Sequence, residues 1–186
     1  MEVNSKVALR PARENELQSL YQLITADPHW TDFNGPYFPY QTPSIEEFGF
    51  DLFARLREGE SAQLITYEGQ PVGTVSYYWE CEATHWLEMG VIIYDSTFWH
   101  RGIAPRALTQ WITYLFDHLD IARVGLTTWS GNHRMMGCAE KLGMRQEARL
   151  RKVRFYNQKY YDSVKYGILK EEWFSTANQW LEPLST

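Results

Sequence analysis

The chain has 186 residues, of which 44% are hydrophobic and 22% charged, which is the length and composition of one folded domain rather than of a disordered chain. Its 18 Lys and Arg against 23 Asp and Glu give a net charge of −5, which disfavours nucleic acid as a partner because phosphate contacts need a concentrated positive surface. The two cysteines are too few for a disulfide framework, and neither a membrane-spanning apolar run nor a signal peptide is visible. We therefore expect a single cytoplasmic domain over residues 1–186 that binds neither nucleic acid nor a membrane.

The first segments of the chain predict a strand followed by two helices. A short apolar run from Val7 to Pro11 is typical of a strand that a proline ends. Residues from Arg13 to Ala26 place apolar side chains at helical spacing. A second helix is expected after Ser44, because Ser44 and Glu47 have the spacing of a capping box. Its predicted buried stripe consists of Phe48, Leu52 and Leu56.

The segment between these two helices, residues 30–40, reads WTDFNGPYFPY and contains five aromatic residues. Its prolines and glycine oppose a regular element, so we expect a loop here and call it the aromatic loop. Two interpretations stay open. Loops gather recognition residues, which favours a pocket lining, but a loop packed over a core also uses aromatic side chains.

The middle of the chain predicts strands and then a long helix. Residues from Gln63 to Tyr67 and from Val72 to Trp79 are typical of a hairpin, with a turn that reads EGQP. The next predicted strand runs from Trp86 to Tyr94, and its alternate residues are apolar and should face packed material. The strongest helical pattern runs from Ile103 to Leu119.

The last part of the chain predicts a strand, a helix and two further strands. The segments are Arg123 to Thr128, Asn132 to Leu142, Met144 to Tyr156 and Tyr161 to Leu169. A helix between the strands that begin at Trp86 and Arg123 permits one parallel pair, whereas hairpins require antiparallel pairing. We therefore expect the α+β class, with a mixed and mostly antiparallel central sheet flanked by helices.

One connection has the composition of an anion site. Residues 98–106 read FWHRGIAPR and lie between a predicted strand and the beginning of the longest helix, where free N–H groups and the helix dipole favour phosphate. Gly102 permits close approach of a ligand to the backbone, and Arg101 and Arg106 add positive charge. The same pattern also occurs in ordinary strand-to-helix connections, so both interpretations stay open at this point.

Several short motifs occur together in a specific order: GVII at 90–93, RGIA at 101–104, Asn132, EKLGM at 140–144 and YYDSVKY at 160–166. In this order they resemble the GNAT superfamily of acetyl-CoA-dependent N-acetyltransferases. The last motif, followed by Glu172 and Trp173, is similar to the branch that contains ribosomal-protein N-terminal and polyamine acetyltransferases. The resemblance extends over nearly the whole chain and implies the GNAT acyltransferase fold.

The resemblance implies a site for acetyl-CoA. The family's pyrophosphate loop, Q/R-x-x-G-x-G/A, falls on Trp99 to Ala104, with Trp99 in place of the usual polar residue and His100 where glycine is frequent. Backbone groups of the strand before it should pair with the pantetheine arm, while Asn132 is also an ordinary helix cap. The implied cofactor-binding residues are Val91, Ile92, Ile93, His100, Arg101, Gly102, Ile103, Ala104 and Asn132.

Glu88 matches a glutamate on the family's central strand and is the candidate catalytic base, because a poorly solvated carboxylate can accept a proton from an amine. The alternative is a half-exposed strand residue or a structural ion-pair partner. A backbone N–H of residues 90–93 is the expected donor to the thioester oxygen. Met135 stands where the family expects a serine, so the general acid stays unassigned; Cys138 is interpreted as a small buried hydrophobe.

The leading hypothesis is an N-acetyltransferase that moves an acetyl group from acetyl-CoA to a primary amine, either a small molecule or a peptide N-terminus. The acceptor contacts are expected from Trp30, Tyr37 and Phe38 of the aromatic loop. The first alternative is a non-catalytic acyl-CoA sensor of the same fold, which Met135 and the altered loop favour. The second is a structural or interaction protein in which the glycine turn binds nothing. No metal is expected, because the histidines lack ligand spacing, and the family branch is compatible with a homodimer.

Overall fold

The computed structural model describes residues 6–176. Within this range seven strands form one sheet in the spatial order β1-β2-β3-β4-β5-β7-β6. The strands are β1 (Val7–Arg10), β2 (Ala62–Tyr67), β3 (Gln70–Cys81), β4 (Trp86–Ile93), β5 (Arg123–Trp129), β6 (Arg145–Tyr156) and β7 (Lys159–Leu169). Only β4 and β5 pair in parallel, so the predicted mixed and mostly antiparallel α+β sheet is confirmed.

Six α-helices are described beside the sheet. They are α1 (Leu17–Ala26), α2 (Ile45–Phe48), α3 (Ala54–Glu58), α4 (Ile103–His118), α5 (His133–Lys141) and α6 (Lys170–Thr176). The sequence pattern did not predict α6. In the described part of the chain, no helix is both long and apolar enough to cross a membrane.

Two apolar clusters cover the two faces of the sheet. The larger one packs α4 and α5 on one face, with Leu108, Ile112 and Leu115 fully buried in α4. The apolar alternate residues of β4, Leu87, Met89, Val91 and Ile93, belong to or pack against it, as their alternation predicts. The second cluster joins α1, α2 and α3 to β2. The two clusters leave β4 at the centre of the molecule.

After Ser44 the predicted cap is confirmed, and so are two of the three residues of the predicted stripe, Phe48 and Leu56. The Ser44 hydroxyl accepts the backbone N–H of Glu47, and the Glu47 carboxylate accepts the N–H of Ser44. A π-helical turn, Gly49–Phe53, follows α2. The wider turn brings Phe53 rather than Leu52 into the buried row between Phe48 and Leu56.

The predicted turn of the first hairpin was also too long. Strands β2 and β3 are joined by Glu68 and Gly69 alone, with φ of 50° and 85°, and Gln70 already pairs with Tyr67. A two-residue turn with two positive φ angles matches the twist of the flanking strands. Pro71 therefore lies within β3 rather than in the turn.

The feature that positions the site is the separation of β4 from β5. The two strands pair only at Leu87 with Val124 and at Glu88 with Gly125. Beyond these pairs β4 continues beside β3 as far as Ile93, and β5 continues beside β7 as far as Trp129. The sheet therefore opens toward the carboxyl ends of β4 and β5, and it leaves the facing backbone of both strands without sheet partners.

Candidate active site

A cavity of about 590 Å³ occupies the opening between β4 and β5. Residues 89–93 of β4 form one wall and residues 126–129 of β5 form the other. The beginnings of α4 and α5 and part of the aromatic loop complete the lining. The predicted anion site and part of the predicted acceptor loop, which lie far apart in the sequence, thus line one cavity.

The connection before α4 exposes backbone groups to the cavity. His100 and Gly102 both have left-handed backbone, with φ of 61° and 68°, and Gly102 caps α4. A Cβ at residue 102 would meet no atom within 4 Å, so a ligand can approach the backbone closely there. Free N–H groups at the beginning of a 16-residue helix face this end of the cavity, which favours an anionic group.

The charge of the cavity wall is opposite in sign to that of the whole chain. Among the described residues that line the cavity, none is an aspartate or a glutamate. Arg134 and Lys141 line it together with His100 and His133. The Arg134 guanidinium lies between two rings, 4.6 Å from the centroid of Phe33 and 4.7 Å from that of Trp99. In a chain of net charge −5, the wall is thus locally positive, which favours an anionic ligand.

Trp99 has a structural role in the connection. Its indole N–H donates to the carbonyl of Ile93 at 2.9 Å, across the end of β4. Its ring packs edge-on against Phe33 at 5.4 Å between centroids. The Trp99 side chain is therefore unsuited to bind phosphate, because its only donor is already used.

Asn132 caps α5 and also holds the aromatic loop. Its Oδ1 accepts the N–H of Met135 at 3.0 Å, and its Nδ2 donates to the carbonyl of Phe33 at 3.2 Å. The Trp129 indole donates to the same carbonyl at 3.1 Å. The aromatic loop is therefore fixed to the end of β5 and to the beginning of α5, across one end of the cavity.

The three predicted acceptor residues have different positions. Trp30 lines the cavity but is buried. It lies in a 3₁₀ turn, Pro28–Asp32, and its indole N–H donates to the carbonyl of Ile24. Tyr37 also lines the cavity. Phe38 lies outside the cavity wall, 59% exposed, beneath the guanidinium of Arg154. The loop is thus both a packed cover and a pocket lining, so both interpretations from the sequence apply.

Most of the implied cofactor residues line the cavity, but Arg101 and the candidate base Glu88 do not. Val91, Ile92, Ile93, His100, Gly102, Ile103, Ala104 and Asn132 line it. Arg101 is absent from the wall, and its guanidinium lies over the rings of Phe98 and Tyr67 at 5.1 and 6.0 Å. Glu88 is fully buried and is also absent from the wall.

Glu88 is surrounded by donors. Its Oε1 accepts from the Lys165 ammonium at 2.7 Å, and its Oε2 accepts from the Thr127 hydroxyl and, at 3.3 Å, from the Tyr78 hydroxyl. Burial, followed by the charges of Glu88 and Glu80, raises the pKa of Tyr78, which keeps that hydroxyl a donor. The ion-pair alternative for Glu88 is thus present in the structure, and it does not by itself exclude a role in proton transfer.

The groups near the cavity provide no good acid for a departing thiolate. Burial raises the pKa of Cys138 to about 11, so this thiol is a weaker acid than an ordinary free thiol of pKa about 8.5. Tyr166 lies in the core, and its hydroxyl donates to Glu140 at 3.1 Å. Met135 lines the cavity and has no proton to give.

Sequence reasoning missed Thr127, Lys165 and Arg134. Thr127 and Lys165 face each other across β5 and β7, and the sequence has no signal for that pairing. Arg134 could have been noticed as a cation in the first turn of α5, an unusual position for positive charge near the helix N-terminus.

Within residues 6–176 no group of three or more His, Cys, Asp or Glu is placed to hold a metal ion.

A family model described as an acetyltransferase (GNAT) domain matches residues 6–145. YdaF of Bacillus subtilis (strain 168), provisionally named a ribosomal N-acetyltransferase, is 29% identical over 109 residues, which are 59% of this chain and 59% of YdaF. The chain therefore matches about three fifths of the length of this curated relative.

Two solved structures have a similar fold. Spermidine N-acetyltransferase from Vibrio cholerae, in complex with CoA and spermine, is 18% identical, with a TM-score of 0.73 over 92% of this chain and 99% of that chain. RimL, a ribosomal alpha-N-protein acetyltransferase in complex with coenzyme A, is 20% identical, with a TM-score of 0.70 over 90% of this chain and 96% of that chain. Since the family model also covers more than half of the sequence, the chain belongs to the GNAT family of acetyltransferases.

Proposed function

We propose that this chain is an acetyl-CoA-dependent N-acetyltransferase whose acceptor is the N-terminal amine of a peptide. The observation that supports this best is the cavity between β4 and β5. One end is cationic and faces the beginning of α4, and Thr127, the neighbour of Glu88, lines its wall. A site of this form suits a long anionic donor whose reactive end meets a proton acceptor.

The cavity fits acetyl-CoA by charge and by backbone chemistry. The N–H groups around Gly102 and the guanidinium of Arg134 would hold the diphosphate, and the free edge of β4 at residues 91–93 would hold the pantetheine arm. When bound, acetyl-CoA supplies the activated acetyl group as a thioester. The absence of carboxylates from the described wall removes the main source of repulsion against such a ligand.

The chain's own groups have three roles in the proposed reaction. Glu88 accepts the proton of the acceptor amine, which frees its lone pair for attack. A backbone N–H of residues 90–93 donates to the oxygen on which negative charge develops. The thiolate leaves without a protein acid, since Met135, Cys138 and Tyr166 are each unsuited to protonate it.

The charges near Glu88 favour an acceptor with one amine over a polyamine. A polyamine needs several free carboxylates, but Glu88 and Glu80 share the ammonium of Lys165, at 2.7 and 3.8 Å, so together they leave one net negative charge, which suits a single ammonium. The provisional name of YdaF and the name of RimL agree with a peptide N-terminus, whereas the spermidine enzyme represents the other option.

The test measures release of the coenzyme thiol with three acceptors. They are a short peptide with a free N-terminus and one internal lysine, the same peptide with its N-terminus blocked, and spermine. We expect turnover with the free peptide and at least about tenfold lower kcat/KM with the other two, a difference of about 1.4 kcal/mol. Preference for spermine or for the blocked peptide would overturn the proposed acceptor. Binding of acetyl-CoA without turnover of any amine would instead favour a sensor.

A further inference from the structure

We propose that the Thr127 hydroxyl transfers the proton of the acceptor amine to Glu88, and that Lys165 orients this hydroxyl. This inference rests on the proposed acetyltransferase function and adds a catalytic residue to it. The candidate base Glu88 is fully buried and does not line the cavity, so an amine in the cavity does not reach it in this arrangement.

Thr127 connects the cavity with the buried carboxylate of Glu88. It lines the cavity on the β5 side, and its Oγ1 hydrogen-bonds Glu88 Oε2. It lies two residues beyond Gly125, the last β5 residue that pairs with β4, and so at the beginning of the opening. No rearrangement of β4 or β5 is needed for an amine in the cavity to approach this hydroxyl.

The hydrogen bonds around Thr127 determine which way its proton points. A hydroxyl has one donor and two acceptor positions. The Lys165 ammonium donates to Thr127 Oγ1 at 2.9 Å and to Glu88 Oε1 at 2.7 Å, and an ammonium cannot accept. The Thr127 proton is therefore directed at Glu88 Oε2. One acceptor position on Oγ1 is left for a hydrogen on the acceptor nitrogen.

Direct contact between the amine and Glu88 would cost an existing hydrogen bond. Oε1 is held by Lys165, and Oε2 is held by Thr127 and by Tyr78 at 3.3 Å. A path through Thr127 keeps these partners in place. Lys165 acts as a positioning residue, because it touches the hydroxyl and the carboxylate but not the cavity wall.

Two protons move together in the proposed transfer. The acceptor ammonium gives one proton to Thr127 Oγ1 while the Thr127 hydroxyl gives its own proton to Glu88 Oε2, so threonine is unchanged and the carboxylate becomes a carboxylic acid. The freed nitrogen lone pair then forms the C–N bond to the acetyl carbon, and the C–S bond breaks with its electron pair on sulfur. The nitrogen then loses its remaining excess proton to solvent, which leaves the neutral product amide.

The test compares Thr127→Val, which keeps the shape and removes the hydroxyl, with Thr127→Ser, which keeps the hydroxyl. Thr66→Val in β2 is the matched control, because Thr66 also bonds through its hydroxyl, to the carbonyl of Ala8, but lies away from the cavity. For each variant, kcat and both KM values are measured with the free peptide between pH 6 and pH 9. Calorimetry with acetyl-CoA and a thermal melt report whether each variant is folded.

We expect Thr127→Val to lower kcat about 10²-fold near pH 7 with KM for acetyl-CoA within about twofold of wild type, the usual size of a general-base effect. Thr127→Ser should stay within about fivefold of wild type. The defect of Thr127→Val should shrink above the pKa of the peptide amine, about 7.7–8.0, because solvent then deprotonates the acceptor.

Wild-type kcat and pH dependence in Thr127→Val would overturn the relay, as would an equal loss in Thr127→Ser. If Thr127→Val does not fold, Thr127→Ala replaces it in the same comparison with Thr127→Ser. A wild type that acetylates no amine would refute the proposed function rather than the relay.

Discussion

Glu88 shows at the scale of single residues how one buried carboxylate can be stabilised and remain useful. Transfer of a charged group out of water is costly unless it is paired and hydrogen-bonded, and Glu88 has an ammonium and two hydroxyls as partners. Lys165 is 29% exposed at its side chain, so part of its own charge stays solvated. The pair therefore stabilises the buried charge of Glu88 while Lys165 stays in contact with solvent.

Removal of the cation should be costly. Lys165→Met leaves the fully buried Glu88 charge without its ammonium, and we expect the free energy of unfolding to fall by about 2–4 kcal/mol at pH 7 in urea denaturation. The double variant Lys165→Met/Glu88→Gln should lose clearly less, because no unpaired charge remains. A loss below about 0.5 kcal/mol in the single variant would contradict the role given to this pair.

Glu88 and its partners also show what the sequence alone can predict about single residues. Glu88 could be singled out because it lies in an apolar strand and matches a family position. Its partners could not, since Thr127 is 39 residues away and Lys165 is 77 residues away, on strands whose pairing is a tertiary property. Arg101 illustrates the reverse case: its charge suggested an anion site, but its guanidinium lies over two aromatic rings.

At the scale of elements, the junction of β1 and α1 depends on one carboxylate. Glu16 accepts two hydrogen bonds from the Arg10 guanidinium, at 2.8 and 2.7 Å, and one from the N–H of Arg13 at 2.7 Å. The Arg10 bond is the largest cause that lowers the pKa of Glu16, to about 2 from 4.5. The charged form of Glu16 thus stabilises the turn that leads from the sheet into α1.

This arrangement predicts an acid-dependent stability. Because the folded pKa is the lower one, the contribution is complete above about pH 4.5 and is lost as the pH falls toward 2. Between pH 6 and pH 3 the wild type should lose about 1–2 kcal/mol more than Glu16→Gln in urea denaturation. Glu14→Gln is the control, since Glu14 is 85% exposed. Equal pH dependence in wild type and Glu16→Gln would contradict this explanation.

The elements themselves were largely predictable, because periodicity and caps are local. The capping box at Ser44 is present, and Gly143 has the left-handed φ of 77° that a helix end requires. The π turn after α2 was not predictable, because both Leu52 and Phe53 are apolar and either could face the core. Tertiary packing against α1 and β2 decides between them.

For the whole molecule, the separation of β4 from β5 explains why the site lies where it does. The chain order, with α4 between two parallel strands, predicts that these strands are neighbours. It does not predict that their pairing ends after Glu88 and Gly125, because neither strand has a proline or charge that would stop it there. The cationic cavity was likewise hidden by a net charge of −5, since the fold keeps every described carboxylate off the wall that contains Arg134 and Lys141.

The cavity should bind acetyl-CoA with its diphosphate at the beginning of α4, and calorimetric titration of acetyl-CoA tests this most directly. The variants are Gly102→Asp and Gly102→Asn, two side chains of equal shape that tolerate left-handed backbone and differ in charge. A Cβ has open space there, so both should fold.

We expect wild type to bind, Gly102→Asn to bind within a few-fold of it, and Gly102→Asp to bind at least about tenfold more weakly, because its carboxylate would face the diphosphate. No binding by folded wild type, or equal binding by the two variants, would contradict a diphosphate site at this end of the cavity.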